Sequence, residues 1–200
     1  DSNGRYSFSN QPSIAEWNCY ALASALIDLF SESELRDILR KFNDYFYDSL
    51  IEKYRKKLGF KSAQDSDYDL LLGLFEIMET EKLDYTNTFR ELSKIISSTN
   101  NFNLSEKFSI WLASYKDRLS KDENSIEESK ILMDKNNPKY ILRNYLAQLA
   151  IEDAEQGKAE KIDELAKVLS NPFDDLGKSM EKFCQPAPKE QQNQQLSCSS

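Results

Sequence analysis

Apolar residues recur at intervals of three and four along most of the chain, which is the spacing of one face of an α-helix. The first stretch with this spacing predicts a helix with a buried apolar face. The Ser-Ile-Ala-Glu capping box at residues 13–16 predicts where that helix begins. Its apolar positions are Ile14, Trp17, Ala21, Leu22, Ala25 and Leu29. A second capping box at residues 31–34 opens the longest predicted helix, which runs to a left-handed Gly59.

The same spacing continues through the second half of the chain. It predicts one helix beginning near Asp84, one over residues 104–119, and one that opens at a third capping box, residues 125–128. The helix that opens at residues 125–128 should stop near Asn136, because Pro138 disfavours helical backbone in the residue before it. A helix should restart from Pro138 and run to Gly157, and a last one should end before Asn171. Period-two alternation is nearly absent, so we expect an all-α fold with seven or eight helices.

Residues 42–47 concentrate aromatic side chains on the long second helix: Phe42, Tyr45, Phe46 and Tyr47. These rings span more than one helical face. Core packing is the favoured interpretation, and a ligand cage is the alternative.

Acidic residues between positions 65 and 76 superficially match an EF-hand calcium loop. Leu70 stands at the sixth loop position, where glycine normally makes the sharp turn, and the sequence that follows is helical. We therefore reject a calcium site and interpret Asp65, Asp67 and Asp69 as helix-capping residues.

Composition changes after Phe173 to Pro, Lys, Gln, Asn and Ser. Such a segment buries too little apolar surface to offset the entropy of ordering. The sequence thus predicts one helical region over residues 1–173, followed by a flexible polar tail over residues 174–200 that ends in Ser-Cys-Ser-Ser.

The formal net charge of −8 disfavours a nucleic-acid partner, because phosphate binding relies on clustered Lys and Arg. One basic cluster occupies residues 53–61, at a predicted helix end where cations complement the helix dipole. No apolar run approaches the length of a membrane span and no signal peptide is recognisable, so a soluble intracellular chain without a membrane partner is expected.

Histidine is absent, which removes the usual general base and the commonest transition-metal ligand. The three cysteines, Cys19, Cys184 and Cys198, form neither a disulfide framework nor a pair with metal-ligand spacing. No metal site is predicted in this chain.

Four segments are more specific than amphipathic helices require. The sequence Asn-Pro-Lys-Tyr-Ile-Leu-Arg-Asn-Tyr-Leu-Ala-Gln occupies residues 137–148, and we call it the fingerprint segment. With Gly-Arg-Tyr-Ser-Phe-Ser-Asn-Gln-Pro at residues 4–12, Asp-Tyr-Thr-Asn-Thr-Phe-Arg at residues 84–90 and the terminal Ser-Cys-Ser-Ser, it resembles the selenoprotein O family, also called SelO or YdiU. The resemblance implies a protein-kinase-like fold and transfer of AMP from ATP to hydroxyl side chains of proteins.

In that family, the ATP-binding and magnesium-binding motifs precede the Asp-x-x-Gly-Arg-Tyr sequence that Asp1, Gly4, Arg5 and Tyr6 match. The resemblance therefore implies a chain truncated at its N-terminus, which lacks the N-terminal kinase-like half. It would hold the helical end of the kinase-like C-lobe and a family-specific helical extension. No catalytic or metal-binding residue is expected here, and no ATP or Mg²⁺ should bind. An apolar patch around Trp17 should then face solvent, where the lost part of the lobe would pack.

Three polar residues carry weaker hypotheses. Arg5 is the one candidate for a nucleotide contact, and a structural arginine is the favoured alternative. Arg143 and Asn144 lie among apolar positions, so a buried polar network is favoured over catalysis.

Cys198 lies near the end of the polar tail, where exposure makes a thiol available for exchange. Some family members carry selenocysteine at the matching place, so the resemblance implies a redox role, with a disulfide to a cysteine upstream of this chain. A Cys184–Cys198 disulfide and an inert thiol remain the alternatives.

The resemblance also implies protein substrates, with a cytoplasmic location in a bacterium and a mitochondrial one in a eukaryote. A function of a different class stays open: a non-enzymatic helical protein-interaction domain, in which the aromatic-rich second helix forms a partner groove.

Overall fold

The computed structural model describes residues 4–5, 7–98 and 104–191. Those residues form nine α-helices, three short 3-10 helices and no strand, which confirms the all-α prediction with slightly more helices than expected. The α-helices are α1 (Gln11–Ala25), α2 (Glu32–Leu39), α3 (Phe42–Lys57), α4 (Asp67–Glu81), α5 (Tyr85–Ser97), α6 (Glu106–Ser120), α7 (Ile126–Asn136), α8 (Asn144–Glu155) and α9 (Glu160–Ser170). The 3-10 helices are Phe8–Asn10, Lys178–Phe183 and Lys189–Gln191.

Backbone contacts divide the chain into two units, Asp1–Lys53 and Tyr54–Ser200, with the boundary inside α3. The sequence predicted one helical region over residues 1–173. Helical periodicity continues through the boundary, so no change of composition marks it. We describe each unit by itself.

The first unit departs from prediction at the start of α1 and at the end of α2. Helix α1 begins at Gln11, with Pro12 in its first turn, and Asn10 forms no side-chain cap, so the box predicted at residues 13–16 is wrong. Because proline is preorganised for the first turn of a helix, the helix begins before Pro12 and not at Ser13. The box of Ser31 and Glu34 is confirmed. The prediction of one long second helix is wrong. The Lys41 N–H donates to Ile38 O, three residues back, and this tighter turn separates α2 from α3.

The core of the second unit lies where α5 packs on α7 and α4 packs on α6. Tyr115 is fully buried and its hydroxyl donates to Leu58 O at 2.7 Å. Gly59 adopts the predicted left-handed conformation, with φ of +81°. A Cβ at Gly59 would lie 3.0 Å from Ser129 O, so glycine also permits the close approach of this turn to α7.

The fingerprint segment does not restart a helix at Pro138. Its first part is non-helical, and α8 begins at Asn144. The reason is a turn toward the end of α9: the N–H groups of Lys139 and Tyr140 both donate to Pro172 O, at 2.6 and 3.1 Å. Tyr140 is thereby buried, with 1% of its surface exposed.

Residues 174–191 differ from the predicted flexible tail. They include the 3-10 helix Lys178–Phe183, and Phe183 belongs to the core cluster of α8 and α9. Enough apolar side chains lie among the polar ones to fix this part of the range. The rest of the predicted tail, residues 192–200, lies outside the described residues.

Candidate functional site: an apolar groove and a polar junction

The first unit carries an open groove with apolar walls and a volume of about 680 Å³. Helices α1, α2 and α3 contain no buried residue, so this groove is not covered by the described part of the chain. The groove is lined by Cys19, Leu22, Ala23, Leu26, Phe30, Leu35, Ile38, Leu39, Phe42, Tyr45, Phe46 and Ser49. A surface of this kind is typical of a docking site.

Large apolar side chains around the groove are exposed. Trp17 has 55% of its surface exposed and Leu22 has 62%, so the buried face predicted for α1 is wrong, whereas the predicted exposure of Trp17 is confirmed. The groove is lined from this region by Cys19, Leu22, Ala23, Leu26 and Phe30, so of the predicted apolar positions only Leu22 lies in it. The other exposed large apolar residues of this unit are Tyr20, Ile27, Leu29, Phe30, Ile38, Tyr45 and Tyr47.

The aromatic residues at positions 42–47 of α3 do not pack in a core. Tyr45 and Tyr47 are 68% and 58% exposed. Phe42 and Phe46 stack with ring centroids 6.2 Å apart and form part of the groove wall. The core-packing interpretation is therefore wrong for this unit, and the rings supply an exposed apolar wall instead.

Two of the predicted site residues lie at opposite ends of the chain. The guanidinium carbon of Arg5 lies 4.8 Å from the centroid of the Trp17 ring, a cation–π contact within the first unit. This contact gives Arg5 a structural partner, and its contact with a nucleotide stays a prediction. Cys198 lies outside the described residues, so its redox role stays a prediction too.

A polar junction in the second unit brings two of the family-like segments together. Arg143 Nη1 and Nη2 donate to Asp84 Oδ2 and Oδ1, at 2.6 and 2.9 Å. Asp84 Oδ1 also accepts the N–H of Asn87 at 2.9 Å and so caps α5, which begins where the sequence predicts a helix. Burial alone would raise the pKa of Asp84, but the bonds from Arg143 and Asn87 lower it below its ordinary value.

The predicted polar network is thus confirmed for Arg143, which is the N-cap residue of α8 and has a side chain only 12% exposed. Its Nε is buried without a hydrogen-bond partner among the described residues. Asn144 instead is exposed, at the first position of α8.

Asn137 forms the second part of this junction. It is 1% exposed; its Nδ2 donates to Lys57 O and its Oδ1 accepts from Lys57 Nζ, each at 2.8 Å. Arg90 Nη1 donates to Asn137 O at 3.1 Å. Burial lowers the pKa of Lys57 to about 8, while its ammonium lies 4.8 Å from the centroid of Phe89, a contact that favours the charged form. Lys57 of the basic cluster therefore holds the fingerprint segment.

Sequence reasoning missed a buried ion network around Asp67. Arg118 Nε donates to Asp67 Oδ1 at 2.6 Å and Arg55 Nε donates to Oδ2 at 2.8 Å. Arg118 also pairs with Asp122 at 3.0 Å. Asp67 does stand in the first turn of α4, but it pairs with arginine instead of capping the helix. Its partners are 12 and 51 residues away, so no local pattern could show them.

The described residues contain no group of three or more His, Cys, Asp or Glu placed to hold a metal ion. Magnesium in nucleotidyl transfer needs oxygen ligands that are free to bind it. The carboxylates of Asp67, Asp84 and Asp122 are each committed to arginine. The junction and the ion network thus position helices.

Among the described residues, no helix is both long enough and apolar enough to cross a membrane.

A family model described as protein adenylyltransferase SelO matches residues 1–170. The chain belongs to the SelO family. The protein nucleotidyltransferase YdiU of Stutzerimonas stutzeri is 37% identical over 206 residues, and that of Pectobacterium atrosepticum is 36% identical over 206 residues. Each match covers all of this chain but only 42% of the relative, so the SelO-family chain spans less than half the length of these curated relatives.

Proposed function

We propose that this chain is the C-terminal portion of a protein adenylyltransferase that transfers AMP from ATP to Ser, Thr or Tyr hydroxyls of protein substrates. The observation that carries the proposal is the SelO family match over residues 1–170. The names of the nucleotidyltransferase relatives support the reaction class. The helices would then form the end of a kinase-like C-lobe and its extension.

Such a transfer would join the oxygen of a substrate hydroxyl to the α-phosphorus of ATP and release pyrophosphate and the hydroxyl proton, and Mg²⁺ would offset the phosphate charge. The described residues do not fit that cofactor pair, because their buried carboxylates are paired with arginine. The chain also has no glycine-rich phosphate loop. ATP and Mg²⁺ would therefore bind to sequence outside these 200 residues.

The groove of the first unit would dock the catalytic half of the same protein. Its lining is almost wholly apolar, and α1, α2 and α3 bury no residue. The relatives carry more than half of their length outside the match, which is enough polypeptide to cover such a surface. The junction at Asp84 and Arg143 would hold α5 and α8 together within the second unit.

The open groove is also the observation that favours the second function, a non-enzymatic protein-interaction domain. In that case the groove would receive a separate partner, and no upstream catalytic half would be needed. The gene region that encodes the residues before Asp1 distinguishes the two functions, because the enzyme requires kinase-like motifs there.

Protein substrates and a cytoplasmic or mitochondrial location are part of the same proposal, as is a redox role for Cys198. Within the upstream-extended protein, Cys198→Ser should abolish the response of AMP transfer to oxidant and leave transfer under reducing conditions unchanged. Ser199→Ala, beside Cys198 in the sequence, is the matched control. An oxidant response that survives in the Cys198→Ser variant would contradict the redox role.

The direct test compares this chain with the protein extended upstream to the length of its relatives. Labelled ATP with Mg²⁺ should give AMP on protein hydroxyls only with the extended protein. Titration calorimetry of the 200-residue chain with Mg-ATP should show no saturable heat. Micromolar binding by this chain alone would overturn the assignment of the nucleotide site to the upstream region, and Arg5 would be the first residue to replace. An extended protein that transfers no AMP would overturn the proposed function itself.

A further inference from the structure

Residues 174–191, which we call the strap, lie against α8 and α9 in the second unit. Their apolar residues Leu176, Met180, Phe183 and Ala187 recur at spacings of four, three and four, and all four pack on one core cluster. Phe183 is 4% exposed. It belongs to the same buried cluster as Tyr140, Tyr145, Leu146, Leu165 and Val168. The strap thus fills an apolar groove in the manner of a bound amphipathic peptide.

Polar contacts hold the strap at its two ends. Lys139 Nζ donates to Asp175 Oδ1 at 2.8 Å and to Glu181 Oε1 at 2.6 Å. Beyond Phe183, Tyr145 Oη donates to Gln185 O at 3.0 Å. Lys139 and Tyr145 both belong to the fingerprint segment. That segment therefore supplies part of the apolar floor and two of the polar anchors of the strap site.

The strap has little regular structure of its own. It contains 3-10 helices of six and three residues, and such helices have poor hydrogen-bond geometry. Gly177, with φ of +84° and open space around the position of a Cβ, precedes the first of them. The position of the strap consequently depends on its side-chain contacts with α8, α9 and Lys139, and not on internal backbone hydrogen bonds.

We propose that the strap is a separable latch, which can leave the groove between α8 and α9 and be replaced there by a second copy of the same peptide sequence. Leu176, Met180 and Phe183 are the apolar anchors, and Lys139 is the polar clasp. Release would open an apolar groove lined in part by fingerprint residues. The inference rests on the second unit alone and does not depend on the proposed adenylyl transfer.

The test uses the full 200-residue chain and a fluorescent peptide of residues 174–191. In the wild-type chain the attached strap competes at a high effective concentration, so the peptide should bind weakly. In the Phe183→Ala chain the attached strap loses its main anchor, and peptide binding measured by anisotropy should become at least about tenfold tighter. A peptide carrying Phe183→Ala should fail to bind. A peptide carrying Glu190→Gln should bind like the wild-type peptide, because Glu190 is exposed.

Phe173→Ala is the matched control in the chain, since Phe173 is 43% exposed and lies just before the strap. It should leave peptide binding at the wild-type level. Two results would overturn the proposal. One is a folded Phe183→Ala chain that binds the peptide no better than wild type. The other is loss of cooperative unfolding in that variant by circular dichroism, which would make the strap an inseparable part of the core.

Discussion

The two units share the same helical spacing of apolar residues but differ in what covers them. Helices α1 and α2 bury no side chain, whereas every buried apolar side chain among the described residues lies at Leu58 or later. Trp17 in the first unit is 55% exposed, and Trp111 in the second is 7% exposed. Periodicity therefore predicts that a helix forms, whereas which of its residues are buried depends on what packs against it. For the first unit we propose that this partner is upstream sequence of the kind that the longer relatives carry outside the match.

The ion pairs give the sharpest contrast between the units. In the second unit, the Arg118 and Asp67 side chains are 4% and 2% exposed; in the first, those of Arg36 and Glu32 are 65% and 61% exposed. Arg118→Ala should lower the free energy of unfolding by about 3–5 kcal/mol, because it leaves Asp67 and Asp122 buried with fewer cations. Arg36→Ala should cause no measurable change. Urea unfolding followed by circular dichroism gives both values, and equal losses would refute the contrast.

A pair of leucines tests the apolar side of the comparison. Leu74 in α4 is fully buried, and Leu22 in α1 is 62% exposed in the groove. Leu74→Ala should lower the free energy of unfolding by about 2–5 kcal/mol, since it leaves a cavity. Leu22→Ala should change it by less than about 0.5 kcal/mol in this chain. In the upstream-extended protein the cost of Leu22→Ala should rise. A cost that stays small there would mean that the groove is not covered.

Elements set by short-range chemistry were predictable from the sequence. The capping boxes at Ser31 and Ser125 and the left-handed Gly59 depend on residues within a few positions of each other, and all three are confirmed. The bond of Lys139 and Tyr140 to Pro172 O spans more than thirty residues, so the non-helical start of the fingerprint segment was not predictable. Asp84 and Arg143 were singled out separately, but only the fold shows that they pair.

Acid should act first on the second unit. Burial alone would raise the pKa of Asp122, but bonds from the N–H groups of Lys61 and Asn124 and from Arg118 lower it from 3.8 to about 2. The charged carboxylate therefore stabilises the fold above the unfolded pKa, and this contribution is lost as the pH falls from about 4 to about 2. Urea midpoints measured across that range should fall less steeply for Asp122→Asn than for wild type. Parallel curves would contradict this role of Asp122.

The two tryptophans report on their units separately, and their quenching is compared in variants that circular dichroism shows to be folded. In a Trp111→Phe chain, acrylamide should quench the remaining Trp17 efficiently, because its ring is more than half exposed. In a Trp17→Phe chain, Trp111 should be protected, since its Nε1 donates to Leu70 O at 2.8 Å and its ring stacks on Tyr115. Similar quenching constants for the two variants would remove the difference between the units.

Hydrogen exchange tests the central claim most directly, because it measures the protection of each helix in the same sample. The amides of α1 and α2 should exchange rapidly in the 200-residue chain and become strongly protected in the upstream-extended protein. Those of α4, α5 and α6 should be protected in both. Slow exchange of α1 and α2 in the 200-residue chain, or exchange that stays fast in the extended protein, would contradict the account of the groove as the docking surface for the upstream half.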